Sequence, residues 1–169
     1  MKKFIAALGL AFIGGVSSFN AQVCPEEGAD NYGDDSLSCR QGVSYYSEFL
    51  RQENWKEASI SWWKAQKICP QYKVNMYNNG VQIYGKLIKD LKKANSKDPN
   101  IVIMSDTIDM IYVLWAENFG DCFQLQIDRA DNLMRYQSTT DYEKANELYR
   151  KGFSIIDKTE IGTASAQYF

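Results

Sequence analysis

The four cysteines, Cys24, Cys39, Cys69 and Cys122, carry the most definite chemistry in this 169-residue chain. No two of them form a C-x-x-C pair, so a structural zinc site is poorly supported. An even number of cysteines suits disulfides if the chain reaches an oxidising compartment. Histidine is absent altogether. That removes Ser-His and Cys-His nucleophile pairs, histidine general bases and histidine metal ligands in one step. No GxxxxGK(S/T) phosphate loop and no GxGxxG turn is present. Aspartate and glutamate are plentiful, but no pair has a spacing that singles it out for acid–base work. The stretch 22–38, QVCPEEGADNYGDDSLS, gathers Glu26, Glu27, Asp34 and Asp35. It lacks the Asp-x-Asp spacing and closing Glu of a calcium loop and reads as an irregular, solvated acidic segment. No catalytic, cofactor-binding or metal-ligating set is expected.

The start of the chain sets the compartment. Residues 1–21, MKKFIAALGLAFIGGVSSFNA, have the form of a secretory signal peptide. Lys2 and Lys3 supply the charged region, Phe4 to Val16 the apolar region, and small or polar residues follow, with cleavage expected after Ala21. The apolar run of about 13 residues is too short to span a bilayer. Losing Lys2 and Lys3 from 19 basic residues leaves 17 against 21 acidic ones. The exported chain is thus mildly acidic, with no electrostatic footprint for nucleic acid or an anionic membrane, and no transmembrane segment is expected in it.

Beyond the acidic segment the apolar residues recur with a helical period. The spacing predicts helices over 39–52 (Val43, Tyr46, Phe49, Leu50), 55–68 capped by Asn54, and 72–94 (Met76, Ile83, Leu87, Leu91). Three more follow over 102–118, 123–136 and 142–157. No stretch alternates with period two for long, so no sheet is expected. Pro70 bars continuation of the second helix.

Six helices in three hairpins raise the question of a repeat. Trp55, Ala58, Trp62 and Ala65 stand at steps of three, four and three, and Pro70 follows five residues later. With the helix before it, this stretch resembles a tetratricopeptide repeat. The sixth helix matches again through Tyr142, Ala145, Tyr149 and Gly152, without the proline. Gly42 stands where the family has tryptophan and Tyr46 where it has glycine. One period of about 34 residues from Tyr46 reaches Gly80, which restores the small residue. The wider pattern, C…SYYSEF…NWKEA…W…CP…YNNG and then IDMIYVLWAENFGD, is similar to exported tetratricopeptide-repeat proteins of Bacteroidetes-type bacteria. The resemblance implies an all-α fold, an α-α superhelix of about three hairpins over 39–157. In such a fold small residues let paired helices approach, and aromatics, here Trp55, Trp62, Tyr142 and Tyr149, fill the wedge between hairpins.

What the resemblance implies for function is a scaffold or adaptor in the periplasm or at the outer membrane. It would bind another protein and have no catalytic activity, cofactor or nucleic-acid partner. The family's concave face is lined by the first helix of each hairpin. That would place Arg40, Val43, Ser47 and Arg51 of the first repeat against a partner, with Val74, Tyr77 and Val81 of the second. Trp63 points about 100° away from Trp62 and is expected either to pack on the neighbouring hairpin or to meet a partner. The alternative is glycan binding. Outer-membrane glycan-binding proteins of the SusD type also rest on tetratricopeptide helices, and 11 Tyr and 4 Trp would supply aromatic faces. Those proteins are far longer and carry the sugar site on inserted segments that are missing here.

In a tetratricopeptide hairpin the start of the first helix lies beside the end of the second. The resemblance therefore implies a disulfide between Cys39 and Cys69. Cys24 with Cys39 is the rival pairing, close in sequence, and a bond between Cys24 and Cys122 stays open. Repeat arrays end on a polar capping helix, which is not visible by residue 157. The closing IGTASAQYF is expected to begin a further helix from 158.

Overall fold

The computed structural model describes Cys24, residues 29–136 and residues 142–157, the side chains of 156 and 157 excepted. The signal peptide expected over 1–21 and the further helix expected from 158 lie outside these residues. Every regular element described is a helix: α1 (Ser36–Arg51), α2 (Trp55–Ile68), α3 (Val74–Ala94), α4 (Asn100–Phe119), α5 (Phe123–Tyr136) and α6 (Tyr142–Asp157). The fold is all-α.

Short-range chemistry sets the helix ends. The Asp35 carboxylate accepts from the Ser38 backbone N–H, so α1 begins three residues before Cys39, earlier than the apolar period predicts. The Asn54 side chain accepts from the Glu57 N–H at the start of α2. The Asp98 carboxylate accepts from the Asn100 N–H at the start of α4, at 2.8 Å. Gly120 ends α4 with φ +92°, a conformation that costs a side-chain-bearing residue dearly.

The helices pack in chain order. α1 pairs with α2, α3 with α4 and α5 with α6, and the hairpins meet through α2 on α3 and α4 on α5. Each pair is antiparallel. Cys39 near the start of α1 is bonded to Cys69 just past α2. The Tyr77 ring near the start of α3 lies 5.8 Å from Phe119 at the end of α4. Phe123, opening α5, lies 5.6 Å from Phe153 near the end of α6.

Small residues set the helix separations. A Cβ on Gly42 would stand 3.2 Å from the Ala65 Cα, so α1 and α2 touch almost backbone to backbone. A Cβ on Gly152 would stand 3.2 Å from Ile127 and 3.3 Å from Gln126, across α5 and α6. Ala58, Ala65 and Ala145 are buried beside them. Between the first two hairpins the Trp62 ring lies directly on Gly80, where a Cβ would fall 2.6 Å from two ring carbons. The Trp62 indole N–H donates to the Met76 carbonyl at 2.6 Å, and Trp63 and Tyr77 meet the ring edge-on.

Other signature positions fare differently. Trp55 is half-buried, with the Lys86 ammonium 5.5 Å from its ring centre. Tyr149 is half-buried, and its hydroxyl donates to Asp131 at 2.6 Å. Tyr142 is 65% exposed and so is not a packing residue, contrary to the expectation from its spacing. α6 packs on α5, and no described residue covers the Tyr142 ring. Pro70 is half-buried and gives its carbonyl to the Tyr77 hydroxyl at 2.8 Å. One core runs from Tyr46 through Trp62, Tyr77 and Trp115 to Leu125. A second, small one joins α5 to α6 through Ala130, Leu133, Ala145 and Leu148.

Both disulfides lie at the end of the stack where hairpin follows hairpin. Cys39–Cys69 closes the first hairpin, with Cα atoms 5.7 Å apart. The rival Cys24–Cys39 pairing is excluded, because Cys24 bonds Cys122, just before α5, across 98 residues. Cys24 and the segment 29–35 thus strap the hairpin ends. Along the way the Asn31 N–H donates to the Tyr72 carbonyl, Asp30 pairs with Lys73 at 2.6 Å, and the Tyr32 and Tyr72 rings lie 5.3 Å apart. Two disulfides are consistent with an oxidising, exported environment. Among the described residues no helix is long and apolar enough to cross a membrane.

Chain entropy assigns the longer closure, Cys24–Cys122, about 4.7 kcal/mol, and Cys39–Cys69 about 3.6 kcal/mol. Replacing Cys24 and Cys122 together by alanine is therefore expected to lower the unfolding free energy by about 3–5 kcal/mol in urea titrations. It should also expose the 29–35 strap to protease while the helices stay protected. A strap that remains protease-resistant in that variant would show that the bond does not hold it.

Candidate functional site

The first helices of the hairpins, α1, α3 and α5, were the expected contact surface, and their residues separate into three groups. Val43 and Ser47 of α1 line a cleft of about 200 Å³ together with Tyr46, Lys73, Asn75 and Asn79. Burial raises the Tyr46 phenol above its ordinary range, partly offset by a hydrogen bond with Asn79. Arg40 and Arg51 are exposed but engaged within the chain. The Arg40 guanidinium sits 4.3 Å over the Tyr32 ring, and Arg51 pairs with Glu48.

Val74 and Tyr77 do not belong to a contact surface. They are 6% and 0% exposed. The Tyr77 ring is enclosed by Trp62, Trp115 and Phe119, and burial pushes its phenol up to about 12. The start of α3 is wedged between α2 and α4, so this first turn faces inward on the side that the repeat analogy assigns to a partner. Trp63 is half-buried and donates from its indole N–H to the Tyr84 hydroxyl at 2.7 Å. It therefore packs on the neighbouring hairpin.

Val81, one turn beyond Tyr77, opens a different region. With Tyr112 of α4 and Asp128, Asp131, Asn132 and Arg135 of α5, it lines a pit of about 130 Å³. Two larger clefts adjoin it at the Tyr136 ring. One, of about 390 Å³, is lined by Gly85, Lys89, Lys92, Lys93 and Tyr136. The other, of about 340 Å³, runs from Lys92 and Tyr136 along Lys97, Pro99, Ile101 and Val102. All three are lined in part by Tyr136 and make up the α3–α5 groove, whose second cleft runs out along residues 96–99 and the start of α4.

The groove is electrically divided. In the pit, burial raises the Asp128 carboxyl above the usual range, against the pull of a Gln124 hydrogen bond. Burial and the nearby Asp128 raise the Tyr112 phenol too. Asn132 is 5% exposed and donates to the Ser105 carbonyl at 3.3 Å, while its side-chain oxygen has no partner among the described residues. On the other side of Tyr136 the charge is positive. The Lys92 ammonium donates to the Arg135 carbonyl at 3.3 Å and stands 5.3 Å from the Tyr136 ring centre, and the Arg135 guanidinium stands 5.9 Å from it.

Of this groove the repeat analogy singled out only Val81. Two signals for the rest were present in the sequence. Lysines crowd KDLKKANSKD in an otherwise acidic chain, and Asn132 interrupts the buried stripe of α5. Among the described residues no group of three Asp, Glu or Cys is placed to hold a metal ion.

An ion cluster holds α5 in position. The Arg129 guanidinium donates to both Asp109 oxygens, at 2.9 and 3.2 Å, and Lys144 of α6 reaches the same carboxylate at 3.3 Å. Burial acts to raise the Asp109 carboxyl, but the hydrogen bonds and charges of Arg129 and Lys144 outweigh it and hold the carboxyl below its usual range. No protein-family model matches the chain, and no curated protein or solved structure is significantly similar to it.

A carboxyl depressed in the folded state contributes stability that is present above its unfolded pKa and lost as pH falls through the folded one. The Asp109 contribution should therefore persist at neutral pH and fade only below about pH 4. Asp109→Ala is expected to cost about 2–3 kcal/mol at pH 7, with a smaller penalty at pH 3. Denaturation at both pH values checks this; an equal penalty at each would contradict it.

Proposed function

We propose that this protein is an exported helical-repeat scaffold that binds another protein along the grooves between its first helices. The reading that fits best is a tetratricopeptide-like stack, acting in the periplasm or at the outer membrane of a Bacteroidetes-type bacterium, as an adaptor and not as a catalyst. The observation that supports it most is where the clefts lie: one between α1 and α3, and the linked set between α3 and α5. Second helices fill the space between hairpins with Trp62 and Trp63, which leaves the first helices only loosely packed on one another. Loosely packed helices of fixed spacing present backbone-stiff walls on which an extended chain can lie at low entropic cost.

Glycan binding is the weaker reading. Sugar rings stack on free aromatic faces, but Tyr136, the aromatic at the centre of the groove, carries the Lys92 and Arg135 cations on its ring.

Photo-crosslinking in envelopes of the native host tests the proposal. A crosslinking amino acid at Ser47 or Lys89 should give a discrete protein adduct, and one at Lys56 or Lys64 on α2 should not. Adducts of equal yield from both sets, or none from Ser47 and Lys89, would overturn it.

A further inference from the structure

We infer that the α3–α5 groove recognises an extended protein segment in which acidic side chains neighbour an apolar one. The inference deepens the proposed protein-binding function and rests on it.

Charge is the first observation. Lys89, Lys92, Lys93 and Lys97 line the two larger clefts, whereas the whole chain has a formal charge of −2. The carboxylates among them are already occupied. Asp90 pairs with Lys93 at 3.3 Å, and Asp98 accepts from the Asn100 backbone and side chain. Stabilisation of a helix C-terminus accounts for Lys92 and Lys93, which lie in the last turn of α3. It does not account for Lys89, a turn earlier, or for Lys97, beyond the helix end, because the effect fades within the last turn. Neither Lys89 nor Lys97 forms an ion pair with a described residue.

The walls supply the second observation. The clefts share Lys92 and Tyr136 in their walls, and the second is lined by Pro99, Ile101 and Val102. A small anion or a lipid headgroup would satisfy the lysines and leave this apolar lining wet. A polyuronate would lack apolar groups to cover it, and the Tyr136 faces are taken. A peptide can do both at once, with carboxylates toward Lys89, Lys93 and Lys97 and an aliphatic or aromatic side chain on Pro99 and Val102. Gly85 widens the entrance, because a Cβ there would already reach the Tyr136 hydroxyl at 3.4 Å.

Fluorescence anisotropy with the purified protein at 0.15 M salt tests this. The probes are a labelled peptide of sequence EELEEFEE, its glutamine analogue QQLQQFQQ, and oligoglutamate of equal length. The first is expected to bind at least tenfold more tightly than either of the others. Lys89→Glu/Lys93→Glu should weaken it at least tenfold, and Lys56→Glu/Lys64→Glu on α2 should leave it unchanged. Equal binding of the glutamine analogue, indifference to the Lys89/Lys93 reversal, or tighter binding of polygalacturonate or of anionic phosphatidylglycerol vesicles would overturn the inference. If the peptide fails but Lys89 still crosslinks to a protein, this inference falls and the scaffold reading stands. If the crosslink is also missing, both fall.

Discussion

The contact on which the structure most depends is the Trp62 ring lying on Gly80. It joins the first hairpin to the second where α2 meets α3, with room for a hydrogen atom and not for a methyl group. Burying a ring of this size is worth a few kcal/mol, and the hydrogen bond to the Met76 carbonyl fixes its orientation. The same ring supports Trp63 and Tyr77 edge-on, and Tyr77 passes the packing on to Trp115 and Phe119 of α4. The spacing of the first two hairpins, and hence the cleft between α1 and α3, follows from it.

A stack in which each hairpin touches only its neighbours is open to fraying at its ends. The covalent bonds counter this unevenly. Cys39–Cys69 clamps the first hairpin, and Cys24–Cys122 ties Cys24 to the entry of α5. The third hairpin joins the main core through Leu125 and adds a small core of Ala130, Leu133, Ala145 and Leu148, together with the Asp109–Arg129–Lys144 cluster and the Lys151–Asp121 pair. The wall of the α3–α5 groove formed by α5 is thus held by ion pairs and a disulfide as well as by apolar burial.

Much of this was legible in the sequence, for local reasons. The 3.6-residue period places all six helices to within a few residues. The steps between Trp55, Ala58, Trp62 and Ala65 identify the buried face of α2, although Trp55 is only half-buried at its edge. The Cys39–Cys69 bond follows once an antiparallel hairpin is assumed. What was hidden depends on tertiary placement. Cys24–Cys122 spans 98 residues and begins in an irregular segment, so no periodicity announces it. Val74 and Tyr77 share a face with Val81 in the repeat analogy, yet the start of α3 is sunk between α2 and α4 and only Val81 reaches a cleft. Tyr142 keeps the signature spacing without a described neighbour to cover it. Tyr136 is an ordinary aromatic at a helix end until α5 is laid beside the C-terminal half of α3.

Two glycines of α3 allow a direct test of the Trp62 contact. Helix propensity alone makes Gly→Ala favourable at both Gly80 and Gly85, by about 1 kcal/mol. At Gly85 the added Cβ meets only the Tyr136 hydroxyl at 3.4 Å, an ordinary contact, whereas at Gly80 it enters the Trp62 ring. Urea denaturation of the two variants should therefore show opposite signs. Gly85→Ala is expected to be as stable as the natural chain or slightly more so, and Gly80→Ala to lose about 1–3 kcal/mol through overpacking. A Gly80→Ala protein as stable as the natural one would contradict the account, since the first two hairpins would then not be seated on that ring.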